Sequence, residues 1–284
     1  MEHHWRAFSF VDQINAVEPG RYIRGSYTVP ADLEEFPLSL AGEAVGQLAS
    51  WAAMAAAEFQ KRPVAGIAGC VEFLAPVRPG QVLKLSASLE TVDAEAASYS
   101  GMATVDGVAV IRLERCLGPM LPVAELDDPQ EVRDRFKLLC DRGAQAGVFS
   151  GLPVMLPARD GGEFGQMARA TLAVPEQAPF FADHFPRRPV FPGSLLLDAT
   201  LRLAGLLAAE LSPVPPGGRW QVRSVSDVKF RAFVPPGGRL ELNVRRKALE
   251  DGEATLAVEA RSESRLVGAA RVHLHAGSKP KTGP

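Results

Sequence analysis

The sequence is short of cysteine and has no excess of positive charge. Its three cysteines, Cys70, Cys116 and Cys140, are widely separated and form no C-x-x-C pair. This spacing argues against a disulfide framework and a structural zinc site, and it favours a reducing cytoplasm. Lysine and arginine total 31 against 33 aspartate and glutamate residues, so the formal net charge is −2. A chain of this charge is poorly suited to bind the phosphate backbone of a nucleic acid.

A signal peptide and a clear membrane span are also missing. The first residues, MEHHWRAFSF, do not have the charged-then-apolar layout of a signal peptide. The most apolar windows cover residues 38–59 and 194–209. The first is long enough to cross a bilayer, but it contains Glu43 and Gln47 and has no closely placed basic anchors. We therefore interpret both windows as buried core helices.

What the sequence does contain is an internal repeat. Residues 71–85 (VEFLAPVRPGQVLKL) and 228–242 (VKFRAFVPPGGRLEL) are identical at 8 of 15 positions without gaps. Each copy predicts an alternating strand, a Pro-Gly turn and a second strand. An apolar helix precedes each copy, at 38–59 and 194–211, and further alternating strands follow. The simplest arrangement is a sheet wrapped around its own helix in each half, which is an α+β fold.

The repeat also predicts the domain organisation of the 284 residues. Asp128 followed by Pro129 is typical of the start of a helix, and Gly143 of its end, so a short helix links the halves. The expected units are an N-terminal domain, a linker, a C-terminal domain and a disordered tail, at residues 1–123, 124–150, 151–276 and 277–284.

The segment FFADHFPRRPVFPGSLLLDAT, residues 180–200, contains the main candidate site. Three prolines and a glycine lie between His184 and the second apolar helix. Each proline fixes φ and removes a backbone donor, so the segment is expected to be rigid. Gly193 stands at the start of the helix, where free N–H groups and the positive end of the helix dipole are available. A histidine held beside such a helix end could act on a substrate carbonyl.

The pattern H-F-P-x-x-P-x-x-P-G-x-L-x-x-D-A resembles the active-site segment of the hotdog-fold 3-hydroxyacyl-(acyl-carrier-protein) dehydratases. In that family a histidine is followed fourteen residues later by Asp or Glu on the central helix, as His184 is by Asp198. Residues 8–25 are similar to the family's opening strand, and GEAVGQLA (42–49) to its E-A-x-x-Q-x-A helix segment. The resemblance implies a double hotdog, in which two antiparallel sheets, each wrapped around a central helix, form an intrachain pseudo-dimer. We expect the two sheets to pair edge to edge into one long sheet.

The two halves have diverged in complementary ways. The first half keeps Glu43, with Gln47 one turn later, but has no histidine upstream. The second half keeps His184, and its helix carries Asp198. Because the family forms each active site from the histidine of one hotdog and the carboxylate of the other, the resemblance implies that His184 works with Glu43. Asp198 then faces a vacant histidine position, so we expect one working site and one dead site.

The chemistry implied by the family is a β-elimination. His184 would remove the proton on the carbon α to a thioester, and Glu43 would protonate the β-hydroxyl, which leaves as water. The Gly193 N–H would polarise the thioester carbonyl, and Gln47 would orient Glu43 or the leaving water.

Electrostatics favours Glu43 over Asp198 as the acid. The elimination needs a protonated carboxyl group, and burial on an apolar helix would raise the pKa of Glu43. Asp198 has Arg202 four residues later, which we expect to hold it ionised. Asp198 is kept as the secondary candidate for the acid.

The resemblance implies no metal and no resident cofactor. The substrate would be an acyl thioester on the phosphopantetheine of an acyl carrier protein, in cytoplasmic fatty acid or polyketide biosynthesis. Arg187 and Arg188 are either a solvated pair of charges or a contact for the carrier protein or the phosphate. A homodimer of double hotdogs is a further expectation. A thioesterase, an enoyl hydratase, an isomerase and a non-catalytic acyl-binding or partner subunit are the alternatives.

Overall fold

The structure is a computed structural model that describes residues 5–152, 157–212 and 218–278 of the chain. The alternating segments form strands, and both apolar segments form helices. The first of these helices, α1, covers Leu38–Ala56. It ends three residues before the predicted boundary because Glu58 and Phe59 take left-handed φ values of 49° and 58°, which a helix cannot continue through.

The first half of the chain contributes seven strands to the sheet. They are β1 (Gln13–Glu18), β2 (Tyr22–Thr28), β3 (Lys61–Pro63), β4 (Ile67–Phe73), β5 (Val82–Val92), β6 (Ala96–Val105) and β7 (Val108–Pro122). Helix α1 lies between β2 and β3, and its buried side chains include Leu40, Ala44 and Leu48. The strands therefore enclose an apolar helix, as the all-round apolar sequence predicts.

Two short helices link the halves, α2 (Val123–Leu126) and α3 (Pro129–Asp141). Asp128 caps α3, since its Oδ1 accepts hydrogen bonds from the N–H groups of Gln130 at 2.9 Å and Glu131 at 3.3 Å. The predicted start of the linker helix is therefore confirmed.

The second half contributes helix α4 and six more strands. Helix α4 covers Gly193–Ala208 and follows a short 3₁₀ turn at Pro179–Ala182. The strands are β8 (Ala158–Glu163), β9 (Met167–Ala173), β10 (Gly218–Phe230), β11 (Arg239–Glu250), β12 (Glu253–Ser262) and β13 (Arg265–Ser278). Strand β13 extends into the predicted disordered tail, and residues 279–284 lie outside the described residues.

All of these strands join one antiparallel sheet. Its order is β1-β2-β5-β6-β7-β4-β10-β13-β12-β11-β9-β8, with β3 paired to β7. The halves meet where β4 pairs with β10, with Val71 opposite Val225 and Cys70 opposite Ser226. Helices α1 and α4 contact each other as well as the strands. This confirms the double hotdog with edge-to-edge sheets.

The core is continuous across both halves, because one cluster of buried apolar side chains includes residues of α1, α4 and strands from each half. Such a shared core makes the two halves mutually dependent for burial of their apolar surface. Within the described ranges, no helix is long and apolar enough to cross a membrane.

Candidate active site

An apolar cleft lies where the two halves meet. Residues of both halves line it, among them Glu43 and Gln47 from α1, and His184 and Gly193 from the second half. The cleft encloses about 1340 Å³ when its open mouth is counted. An apolar pocket with a few converging polar groups is typical of a small-molecule site. The structure thus brings the four predicted catalytic residues to one cavity.

His184 is held in a defined state by its own loop. Its Nδ1 lies 2.9 Å from the carbonyl oxygen of Val190, an acceptor, so Nδ1 carries the proton and donates it. This leaves Nε2 as the unprotonated nitrogen. Burial lowers the pKa of His184 to about 4, and the Arg62 guanidinium acts in the same direction. At neutral pH the imidazole is therefore uncharged and able to accept a proton.

Glu43 is oriented by Gln47. The Gln47 Nε2 donates to Glu43 Oε1 and to the Phe8 carbonyl, both at 3.0 Å, while its Oε1 accepts the Phe10 N–H at 2.8 Å. Burial raises the pKa of Glu43, and the hydroxyl of Ser194, the Gln47 amide and Arg62 oppose the rise. A carboxyl group with a raised pKa retains its proton more readily and can serve as an acid.

Ser194 is a further polar residue of the site. It is the second residue of α4, it lines the cleft, and its hydroxyl approaches Glu43 of the other half. The hydroxyl is buried and makes no hydrogen bond of ordinary geometry with the described residues. Ser194 is therefore a buried polar group of the second half placed against the Glu43 carboxyl.

Gly193 begins α4, so its N–H has no acceptor within the helix. A Cβ at this position would lie 2.9–3.0 Å from three carbon atoms of the Phe230 ring. Only glycine fits here without displacing that ring, which brings backbone and cleft wall into close contact.

Asp198 lies outside the cleft lining and is engaged elsewhere. Its Oδ2 accepts a hydrogen bond from Arg202 Nε at 2.7 Å, and Arg202 also pairs with Glu35. The ion pair predicted from the sequence is present. However, burial has the larger effect and raises the pKa of Asp198, with Arg202 opposing it. Arg202 favours the ionised form, as the i,i+4 spacing predicts, while burial, about which that spacing carries no information, opposes it.

Arg187 and Arg188 are both exposed. Arg187 donates to Asp128 at 2.6 Å and to the Ala124 carbonyl at 3.1 Å, so it ties the histidine loop to the linker. The Arg188 guanidinium lies 4.9 Å from the centre of the Phe233 ring. Arg188 is thus the less constrained of the two candidates for an anionic partner.

Sequence reasoning missed Asp183 and Arg62. Asp183 is buried beside the histidine and accepts hydrogen bonds from the N–H groups of Trp5 and Phe8, the latter at 2.7 Å. It joins the beginning of the chain to the loop of the second half. The position of Asp183 directly before His184 could have marked it as a candidate site residue. Arg62 gave no such indication, because it lies in a Lys-Arg-Pro strand that has the pattern of a surface segment.

The described residues contain no group of three or more histidine, cysteine, aspartate or glutamate side chains placed to hold a metal ion.

The second half of the chain is similar to a known domain. Residues 153–267 match the family model of the FabA-like domain. The 3-hydroxyacyl-(acyl-carrier-protein) dehydratase FabZ of Tolumonas auensis is 40% identical over 80 residues, 28% of this chain and 53% of the relative. The enzyme of the same name from Blochmanniella floridana is 36% identical over 83 residues, 29% and 55% of the two chains. The chain thus spans about half the length of these relatives, and the resemblance to this family is confirmed.

Solved structures match over both halves. An acyl-ACP thioesterase from Bacteroides thetaiotaomicron aligns with a TM-score of 0.52 and 12% identity, over 89% of this chain and 98% of that chain. A MaoC-like dehydratase aligns with a TM-score of 0.51 and 13% identity, over 91% and 98%. At these identities the likeness establishes the fold, and the two proteins differ in the activity their names give.

Proposed function

We propose that this protein dehydrates a 3-hydroxyacyl thioester to the 2-enoyl thioester. The observation that carries the proposal is a base and an acid in one cleft with oppositely shifted pKa values. The pKa of His184 is lowered to about 4, and burial raises the pKa of Glu43. Opposite shifts of this kind keep the imidazole neutral, so that it can accept a proton, and help the carboxyl group to retain the proton that it would donate.

Each atom in the proposed reaction is accounted for. Nε2 of His184 takes the proton on the carbon α to the thioester, and the resulting electron pair forms the double bond to the β-carbon. The bond from that β-carbon to its hydroxyl breaks as Glu43 gives the oxygen a proton, and water leaves. The Gly193 N–H faces the charge that builds on the thioester oxygen, since donors at a helix start stabilise such charge. Gln47 holds the Glu43 carboxyl through its 3.0 Å hydrogen bond.

The substrate we propose is carried by an acyl carrier protein, because the relatives named above act on that class of thioester. Fatty acid biosynthesis is the corresponding setting, with polyketide assembly as an equivalent use of the same chemistry. The proposed elimination itself needs no metal or resident cofactor. Arg188 is the proposed contact for an acidic carrier surface or the pantetheine phosphate. A cytoplasmic location and pairing of two chains complete the proposal.

The direct test is incubation with a 3-hydroxyacyl carrier protein followed by mass spectrometry. Dehydration predicts a loss of the mass of one water from the acyl group, with the thioester intact. Release of a free thiol would instead identify a thioesterase. Binding of the acyl carrier without any turnover would identify a binding subunit, and either of these results would refute the proposal.

A pair of matched variants tests which carboxyl group is the acid. Glu43→Gln keeps the size of the side chain but removes the acidic proton, and we expect turnover to fall about 10²–10⁴-fold. Asp198→Asn should leave turnover within about twofold, because Asp198 is outside the cleft lining. Initial rates and circular dichroism spectra of both variants provide the comparison. The opposite ranking would assign the acid to Asp198.

A further inference from the structure

A cation lies in the cleft beside the proposed acid and base. Arg62 of β3 lines the cleft together with Glu43 and His184. Its Nη1 lies 3.5 Å from Asp127 Oδ2, and the two side chains are only 13% and 1% exposed. A buried charge destabilises the fold unless it is paired, so a buried arginine at this point in the cleft suggests a role at the site.

The Arg62 guanidinium stacks on the Phe185 ring, which in turn stacks on the His184 ring. The guanidinium carbon is 4.8 Å from the centre of the Phe185 ring, a cation–π distance. The Phe185 ring in turn lies 4.4 Å from the His184 ring, with an angle of 32° between their planes. The imidazole is thus packed on one side by a phenyl ring that a buried cation holds.

The backbone at Phe185 is strained, which shows that its position is enforced. Its φ is 62°, in the left-handed region that a bulky residue rarely occupies. The neighbouring loop is tied to the linker, since the Arg187 N–H donates to the Leu126 carbonyl at 3.1 Å. Asp127, the partner of Arg62, is the next residue of that linker. Contacts from the linker and from Arg62 of the first half therefore define where the histidine loop of the second half lies.

We propose that Arg62 is a positioning residue for His184: paired with Asp127, it fixes the Phe185 ring against the imidazole. The proposal rests on the proposed function in one respect, that His184 is the base. Arg62 touches neither reacting group directly in this scheme, and it acts through Phe185 and through its charge.

Several charges surround the histidine. Glu43 approaches from α1, Asp183 precedes it in the loop with Arg135 close to that carboxylate, and Arg62 comes from β3. After burial, the charge that lowers the pKa of His184 is that of Arg62. Removing Arg62 should therefore make the imidazole easier to protonate.

The test measures His184 directly by NMR titration of the imidazole in the full chain. The chain has five histidines, and His184→Asn identifies the relevant signal by its loss. The double variant Arg62→Met/Asp127→Asn removes both charges, so that neither is left buried alone and the fold is retained. We expect its His184 pKa to rise by about one unit, a tenfold change in the protonation equilibrium. A pKa equal to that of the wild-type protein would overturn the proposal.

Arg62→Lys separates charge from stacking. Lysine keeps the positive charge but lacks the flat guanidinium, so we expect the His184 pKa to stay low while kcat falls about tenfold and KM is unchanged. A wild-type kcat in this variant would refute the stacking role.

The control is Arg112→Met/Glu72→Gln, which removes another charge pair, with Nη1 and Oε2 2.8 Å apart, that does not line the cleft. It should change neither the His184 pKa nor kcat, and a comparable change there would show a non-specific effect and refute the proposal. The titration needs no turnover. If the wild-type protein fails to dehydrate the carrier-bound substrate but the pKa responds to Arg62, the proposed function fails and the effect on His184 stands.

Discussion

The proton affinity of His184 should make the stability of the protein depend on pH. In the folded chain the pKa of His184 is about 4, against 6.5 for the free side chain. Between these values the unfolded chain binds a proton that the folded chain excludes, so folding is destabilised as the pH falls from above 6.5 towards 4. The perturbation that isolates this effect is His184→Asn, whose amide can still donate to the Val190 carbonyl.

The expected size follows from the two pKa values. At 1.36 kcal/mol per unit, complete protonation costs the folded state about 3 kcal/mol. Lowering the pH from 8 to 5 covers part of that range and should cost the wild-type protein about 2 kcal/mol more than His184→Asn. His184 keeps some contact with the open cleft, so about 2 kcal/mol is an upper value.

Urea unfolding of both proteins at pH 8, 7, 6 and 5 measures the difference. Other titrating groups are common to the two proteins and cancel in the comparison. We expect the difference between the two unfolding free energies to be nearly constant from pH 8 to pH 7 and to change by about 2 kcal/mol towards pH 5. Parallel curves across this range would show that His184 is protonated as easily in the fold as in the unfolded chain, and would refute the assignment of a neutral, buried base.

Three further predictions concern other parts of the structure. Asp183→Asn weakens the hydrogen bonds that hold the N–H groups of Trp5 and Phe8, so the unfolding free energy should fall by about 1–3 kcal/mol. The control Asp32→Asn changes an exposed residue and should leave the unfolding free energy unchanged. Equal urea midpoints for the two variants would contradict the anchoring role of Asp183. Gly193→Ala places a Cβ about 3 Å from the Phe230 ring, so it should lower the unfolding free energy by about 1–3 kcal/mol and lower kcat. Adding Phe230→Leu makes room for the Cβ and should restore the stability. A fully stable single variant would argue against the close contact. Burial raises the pKa of Asp12 to about 6, so ionisation of Asp12 lowers the unfolding free energy as the pH rises from 3.8 to about 6. Asp12→Asn should remove up to about 3 kcal/mol of this loss of stability, measured by urea unfolding across that pH range. The same pH dependence of the unfolding free energy in both proteins would contradict the raised pKa of Asp12.

The fold could be predicted far into its detail because the chain repeats itself. The two Pro-Gly hairpins and the two apolar helices indicate the same unit twice, and a duplicated sheet with free edges can pair with its own copy. The exact end of α1 could not be predicted, since the left-handed residues Glu58 and Phe59 are set by packing and not by a glycine. The Asp128 cap was predictable because capping involves only neighbouring residues.

The sequence by itself determined the parts of the site that are local. The prolines between His184 and Gly193 restrict the backbone whatever surrounds it, so the histidine loop and the helix start could be assigned from their order alone. The resemblance of the histidine loop to the dehydratase active-site segment indicated Glu43 on α1 as the expected partner of His184. The structure places Glu43 and His184 in the same cleft.

Only the tertiary structure decided the electrostatics. The pKa of Asp198 follows from burial that the i,i+4 pairing with Arg202 does not reveal. Ser194 and Arg62 reach the site because the halves fold against each other and bring α4 and β3 to one cleft. Desolvation and through-space charge depend on three-dimensional surroundings, and residues distant in the chain supply those surroundings.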